Sequence, residues 1–150
     1  MATQPNYRGA LTHYLCHPES FTYKLPDNMD TMEGALVEPA AVGMHAAMLA
    51  DVKPGKKIII LGAGCIGLMT LQACKCLGAT EIAVVDVLEK RLTMAEQLGA
   101  TVVINGAKKT LLHAVSNLPK TWAQILFLKQ RVLRSPLNRH LIWSCAAVKL

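Results

Sequence analysis

The sequence predicts an α/β fold, one half of a doubly wound parallel sheet, on three observations. An apolar, β-branched run, Lys57-Ile58-Ile59-Ile60-Leu61, reads as a buried parallel strand. Gly62-Ala63-Gly64-Cys65-Ile66-Gly67 follows at once and matches G-x-G-x-x-G. A helical pattern then runs from about Cys65 to Leu77, and a second strand from Glu81 ends on Asp86, about twenty residues past the last glycine.

Each part has a mechanical reason. Gly62 permits the tight turn, Gly64 lets backbone approach a pyrophosphate, and Gly67 lets helix and strand pack closely. The helix start at Cys65 and Ile66 offers free N–H groups and a positive dipole end to phosphate oxygens. Gly78 stops the helix as a C-terminal glycine cap. Asp86 is placed to accept hydrogen bonds from the adenosine ribose and to repel a 2′-phosphate, which favours NAD over NADP. Glycine is common, and the same turn occurs in α/β proteins that bind no nucleotide. The motif counts because strand, glycines, helix, strand and acid stand in order.

Downstream, Glu89 to Leu98 reads as an amphipathic helix ending at Gly99, with Leu88, Leu92, Ala95 and Leu98 on one face. Thr101 to Asn105 reads as a third strand. The order is β-α-β-α-β, a mononucleotide-binding half with right-handed crossovers. Upstream, Asp30-Thr31-Met32-Glu33 has capping-box spacing and opens an Ala/Met-rich helix to about Ala50. His45 in that helix is expected to be a packed or capping residue. The first thirty residues carry Pro5, Pro18 and Pro26 and read as extended segments, with residues 14–16 and 21–25 as strands. His13, Cys16, His17 and Glu19 look like a metal cluster, but in a strand Cys16 points away from His13 and His17, and no second ligand group follows.

A chain of 150 residues, 52% hydrophobic with mean hydropathy +0.30, suits one domain with a buried core. No apolar run reaches the roughly eighteen residues of a membrane span, and no signal-peptide pattern opens the chain. The five cysteines, at 16, 65, 74, 76 and 145, form no C-x-x-C pair. A cytoplasmic protein with reduced thiols is expected. The net charge of +6 is unevenly spread. Residues 1–107 hold eight Lys and Arg against ten Asp and Glu, while residues 108–150 hold eight Lys and Arg, no acid, and both tryptophans.

The segments Glu33-Gly34-Ala35-Leu36-Val37-Glu38-Pro39 and Val42-Gly43-Met44-His45-Ala46, with the glycine turn and Val84-Val85-Asp86-Val87, form a specific combination. Together they resemble the zinc-containing medium-chain alcohol dehydrogenase family, and within it the sorbitol (polyol) dehydrogenase branch. The likeness covers about residues 8–107. It implies a partial Rossmann domain, NAD as cofactor, and oxidation of a secondary alcohol on a polyol such as sorbitol or xylitol. In that branch a zinc ion polarises the alcohol oxygen while hydride passes to the nicotinamide. Carried over by position, Gly62, Gly64, Cys65, Ile66, Gly67 and Asp86 are cofactor-binding residues, and Glu38 matches a glutamate close to the catalytic zinc. As an ordinary helix residue, Glu38 would simply face solvent. The family's other zinc ligands, a cysteine and a His-Glu pair, lie in an N-terminal β-rich catalytic domain, of which residues 1–30 look like the last strands. One carboxylate does not hold a catalytic zinc, so no complete catalytic set and no bound zinc are expected. The family is homo-oligomeric.

Past Ala107 the resemblance stops. The family continues with a helix and a fourth strand of the form D-I-V-F-E-T/C-x-G, and Lys108 onwards shows neither. Read one base back, however, the codons of Gln124 to Val132 can encode D-I-V-F-E-T-A-G. The expectation is a one-base deletion near the Lys108 codon, hence a frameshifted gene fragment that is inactive. Three regions follow: 1–30, a remnant of the catalytic domain; 31–107, a partial NAD-binding Rossmann domain with a leading interdomain helix; and 108–150, a basic, poorly ordered tail. Without a fourth strand, the strand at Lys57 would be an exposed apolar edge and the chain aggregation-prone, unless Ile125-Leu126-Phe127-Leu128 pairs there by chance. Two other readings stay open. One is a nucleotide-binding module without catalysis. The other is a basic tail that binds nucleic acid or anionic lipid, against which the lack of a clean charge stripe weighs. A membrane partner is not expected.

Overall fold

A computed structural model describes residues 13–107 and two further strands, Gln124–Lys129 and Ser144–Lys149. The chain divides into two compact units, residues 1–35 and 36–150. No helix among the described residues is long and apolar enough to cross a membrane.

In the first unit, Glu19–Phe21 is a single 3-10 turn and Thr31–Ala35 a short helix, α1. The start of α1 is a reciprocal capping box. Asp30 Oδ1 accepts the Glu33 N–H at 2.7 Å, and Glu33 Oε2 accepts the Asp30 N–H at 3.1 Å. The strands expected over residues 14–16 and 21–25 do not form. Phe21 closes the 3-10 turn, and Tyr14 and Tyr23 stand 94% and 84% exposed. Extended backbone becomes a strand only against a ladder partner, and none pairs with it among the described residues.

In the second unit, α2 spans Val37–Leu49. The single helix expected from Asp30 onward is broken at Leu36, because Pro39 in the first turn of α2 has no N–H to offer the Ala35 carbonyl. Then come β1 (Lys57–Leu61), α3 (Cys65–Cys76), β2 (Glu81–Asp86), α4 (Glu89–Gln97) and β3 (Val102–Asn105), as the sequence pattern predicts. Gly78 and Gly99, past the ends of α3 and α4, take left-handed φ values of 85° and 98°.

The sheet order is β3-β2-β1-β4-β5, with Gln124–Lys129 as β4 and Ser144–Lys149 as β5. β1 pairs in parallel with β2, Ile58 opposite Ile82 and Ile60 opposite Val84. On its other side β1 pairs in parallel with β4, Ile59 opposite Ile125. β3 lies parallel to β2, whereas β5 runs antiparallel to β4. The β1 edge that the sequence leaves open is therefore covered by backbone of the tail. The remainder of the tail expected to be poorly ordered, residues 108–123, 130–143 and 150, lies outside the described residues.

Alternation along β1 and β2 feeds two clusters. Ile58, Ile60, Ile82 and Val84 pack with Leu71 and Cys74 of α3 and Ala95 of α4, all of them at most 1% exposed. Ile59, Ala83 and Val85 form the second cluster on the other face. Burying one such branched side chain stabilises by about 1.5–3 kcal/mol. α2 meets α3 through small residues: Gly43, Ala46 and Ala47 are buried, and a Cβ on Gly43 would lie 2.7 Å from the Thr70 nitrogen. The core thus clamps α3 on the sheet and fixes the turn between β1 and α3.

Candidate functional site

β1 hands the chain to Gly62, whose φ of 107° suits glycine alone. The Gly62 N–H donates to the Val85 carbonyl at 2.7 Å, so the turn leaves the sheet at the level of Asp86. Gly67, buried in the first turn of α3, sits directly against the Gly62 carbonyl. Gly64 is different. Its φ is an ordinary −73°, and a Cβ there would meet nothing within 4 Å. The fold places no demand for glycine at this position. Gly64 is also the N-cap of α3, so no cap side chain accepts from the N–H groups of the first turn. Cys65 is exposed and Ile66 half-buried at that turn.

Asp86 ends β2 and is 8% exposed. Its Oδ2 accepts the Ala63 N–H at 2.7 Å, and its Oδ1 accepts the Val87 and Leu88 N–H groups at 2.8 and 3.0 Å. The Arg91 guanidinium of α4 lies 3.7 Å from Oδ2. Burial pushes the carboxyl upward, but the three backbone donors and Arg91 outweigh it and hold Asp86 below the usual aspartate value. The group is ionised at neutral pH. Gly62, Asp86, Arg91 and Gly106 line a cleft of about 400 Å³ at the C-terminal ends of the parallel strands, the side on which open α/β sheets take ligands.

The structure therefore brings Gly62, Gly64, Cys65, Ile66, Gly67 and Asp86 to one end of the sheet. The sequence reading missed Ala63, Arg91 and Gly106. Arg91 carried a faint signal, a cation one turn into the helix that follows Asp86; the Ala63 N–H carried none. Glu38 is exposed in the first turn of α2, and among the described residues no group of three His, Cys, Asp or Glu side chains could hold a metal ion. The described side chains do not fit a zinc site. His17 instead packs its ring 6.3 Å from that of Phe21. His45, expected to be packed or capping, is exposed, because the buried face of α2 is given to Gly43, Ala46 and Ala47. The basic side chains of the tail, proposed as a nucleic-acid surface, lie outside the described residues.

Residues 65–127 match the family described as zinc-binding dehydrogenase. Over 109 residues the chain is 98% identical to the zinc-type alcohol dehydrogenase-like protein YdjJ of Escherichia coli, a match that covers 73% of this chain and 31% of that protein. Over 116 residues it is 40% identical to the probable D-xylulose reductase A of Aspergillus clavatus, covering 77% and 32% respectively. Among solved structures, galactitol-1-phosphate dehydrogenase of Escherichia coli is 32% identical with a TM-score of 0.61, over 72% of this chain and 31% of that one. The chain spans about a third of the length of these relatives.

Proposed function

Because this chain belongs to the zinc-binding dehydrogenase family, we propose that its glycine turn and Asp86 form the adenosine-and-pyrophosphate half of an NAD site inherited from a polyol dehydrogenase, and that the chain itself turns over no polyol. The observation that carries this reading is Gly64. Gly62 and Gly67 are required by the fold, whereas the glycine at 64 only keeps open space beside the uncapped start of α3. Open space at an uncapped helix N-terminus suits a phosphate.

The N–H groups of Cys65, Ile66 and Gly67 would hold the pyrophosphate, with Gly62 and Gly64 admitting it. Asp86, ionised and lining the cleft, would accept the ribose hydroxyls and repel a 2′-phosphate, which selects NAD. Bound NAD would supply the hydride acceptor. The protein's part is to bind the adenosine end and orient it. An alcohol would need a cation to polarise its oxygen, and a lone carboxylate, Glu38, does not hold one. The likeness to a D-xylulose reductase and a galactitol-1-phosphate dehydrogenase points to polyols as the substrates of the ancestral site.

The tail fits the same reading as a continuation translated out of phase. The 98% identical stretch is 109 residues long, and the family match runs on to residue 127, past the residue at which the likeness was expected to stop. The DNA beyond codon 107 should then spell a D-I-V-F strand in the neighbouring frame. The functional test is a titration with NADH followed by fluorescence, with NADPH as the control, and an assay with NAD, Zn²⁺ and sorbitol or xylitol. Saturable NADH binding, weaker NADPH binding and no turnover are expected. Absence of NADH binding at millimolar concentration would overturn the binding half, and NADH production from a polyol the other.

A further inference from the structure

We infer that Asp86 is the positioning residue of the glycine turn: its carboxylate, by holding the Ala63 N–H, fixes the shape of the phosphate cradle before any ribose reaches it. This goes beyond a ribose acceptor, since it describes what Asp86 does in the free chain. Ala63 lies between Gly62 and Gly64 and is 1% exposed, so water does not serve its N–H. The acceptor that does is Asp86 Oδ2, 23 residues away in sequence and 2.7 Å away in space. A buried N–H is nearly always paired, and here the partner is one side-chain oxygen rather than a strand or helix carbonyl. On the two glycines flanking Ala63, no side chain restrains the backbone.

The other oxygen has a second task. Oδ1 accepts the Val87 and Leu88 N–H groups, which open the turn into α4, where the N-cap Leu88 offers no side-chain bond. One carboxylate thus ties the β1–α3 turn through Oδ2 and the β2–α4 turn through Oδ1. Arg91, on α4, is the charged group facing it, 3.7 Å from the oxygen that holds Ala63. Both oxygens must be acceptors for both ties to hold. Asparagine has the same size but presents an NH₂ group on one side, so it keeps one tie and loses the other. The phosphate cradle and the ribose acceptor are therefore mechanically one unit, and loss of Asp86 loosens the turn as well as removing a ligand contact.

Amide hydrogen exchange by NMR on the full chain without nucleotide tests this, and its outcome does not depend on whether NAD binds. In Asp86→Ala, exchange at Ala63 is expected to accelerate about tenfold or more, the scale for losing a hydrogen bond to a charged group, while Ile59 and Ile60 of β1 keep their protection. In the unsubstituted chain, the Ala63 amide proton is expected to shift on acidification with the same midpoint as the Asp86 carboxyl carbon. That second measurement decides the matter if Asp86→Ala does not fold. Unchanged Ala63 exchange in a folded variant, or an Ala63 resonance that ignores the Asp86 titration, would overturn the inference. A failure to bind NADH would sink the NAD reading and leave this tie standing.

Discussion

A methyl group on Gly67 would sit against the carbonyl oxygen of Gly62, far inside any non-bonded contact. Gly64, three residues earlier, has nothing within 4 Å of the same imagined atom. Two glycines of one motif thus differ: the packing of α3 on the turn requires Gly67, whereas the fold leaves Gly64 free for the pyrophosphate of the proposed site.

Alanine substitution should separate them. Gly67→Ala meets a backbone oxygen that cannot rotate away, so the turn or the helix must shift, at a cost of about 1–3 kcal/mol or more. Urea unfolding reads that loss. Gly64→Ala should leave stability within about 0.5 kcal/mol of wild type and weaken NADH binding at least tenfold. Equal destabilisation by the two substitutions would refute the division of roles.

Asp86 should make stability depend on acid. The folded chain holds its carboxyl below the ordinary value, so the unfolded chain binds the proton more readily. The stabilisation is complete above the unfolded aspartate value, near pH 4, and is lost as pH falls through the lower, folded value. Asp86→Asn should be less stable than wild type at neutral pH, with the gap closing below about pH 4. Denaturation curves across that range check the sign; a gap that widens in acid would contradict it.

Cysteine labelling should report both the core and the site. Burial pushes the Cys74 thiol up to about 12, while Cys16, Cys65 and Cys76 are exposed. Iodoacetamide at mildly alkaline pH should modify those three and spare Cys74 until the chain unfolds. Cys65 borders the opening at Gly64, so saturating NADH should slow its labelling and leave Cys16 and Cys76 unaffected. Peptide mass spectrometry reads these four of the five cysteines separately. Unprotected Cys65 would place the dinucleotide elsewhere.

The β-α-β-α-β order was legible because period and punctuation agree: the Ile58-Ile59-Ile60 run is too short and branched for a helix, and Gly78 and Gly99 follow the last turns of α3 and α4. The glycines were legible as a set, but spacing cannot say which one the fold requires. The Asp86–Ala63 contact left no trace in the sequence, since a bond across 23 residues has no periodicity. The strands expected near Tyr14 and Tyr23 failed for a different reason. Aromatic and β-branched composition sets a propensity, and a strand needs a partner. For the tail, apolar character and charge part company. Codons with U in the middle position encode apolar residues, so under the proposed change of frame a U-rich run stays apolar, whereas acidic codons do not survive. Gln124–Lys129 occupies the fourth-strand position in a tail that holds no acidic side chain.

The pairing of β1 with β4 leads to the last prediction. β4 is hydrogen-bonded on both sides, to β1 through the Ile59–Ile125 register and to β5 through Ile125 opposite Val148. Proline tolerates no such central place, because it removes a ladder donor. Ile125→Pro should release β4 and expose the apolar edge Ile58-Ile59-Ile60, and a chain ending at Ala107 should expose the same edge. A flat apolar edge recruits further strands, so both proteins should elute as large, light-scattering species in size-exclusion chromatography, whereas the full chain should not. If both remain as soluble as the full chain with unchanged circular dichroism, the tail contributes no strand to the sheet. The edge of β1 would then have to be protected by its own flanking charges, Lys56 and Lys57, rather than by a borrowed neighbour.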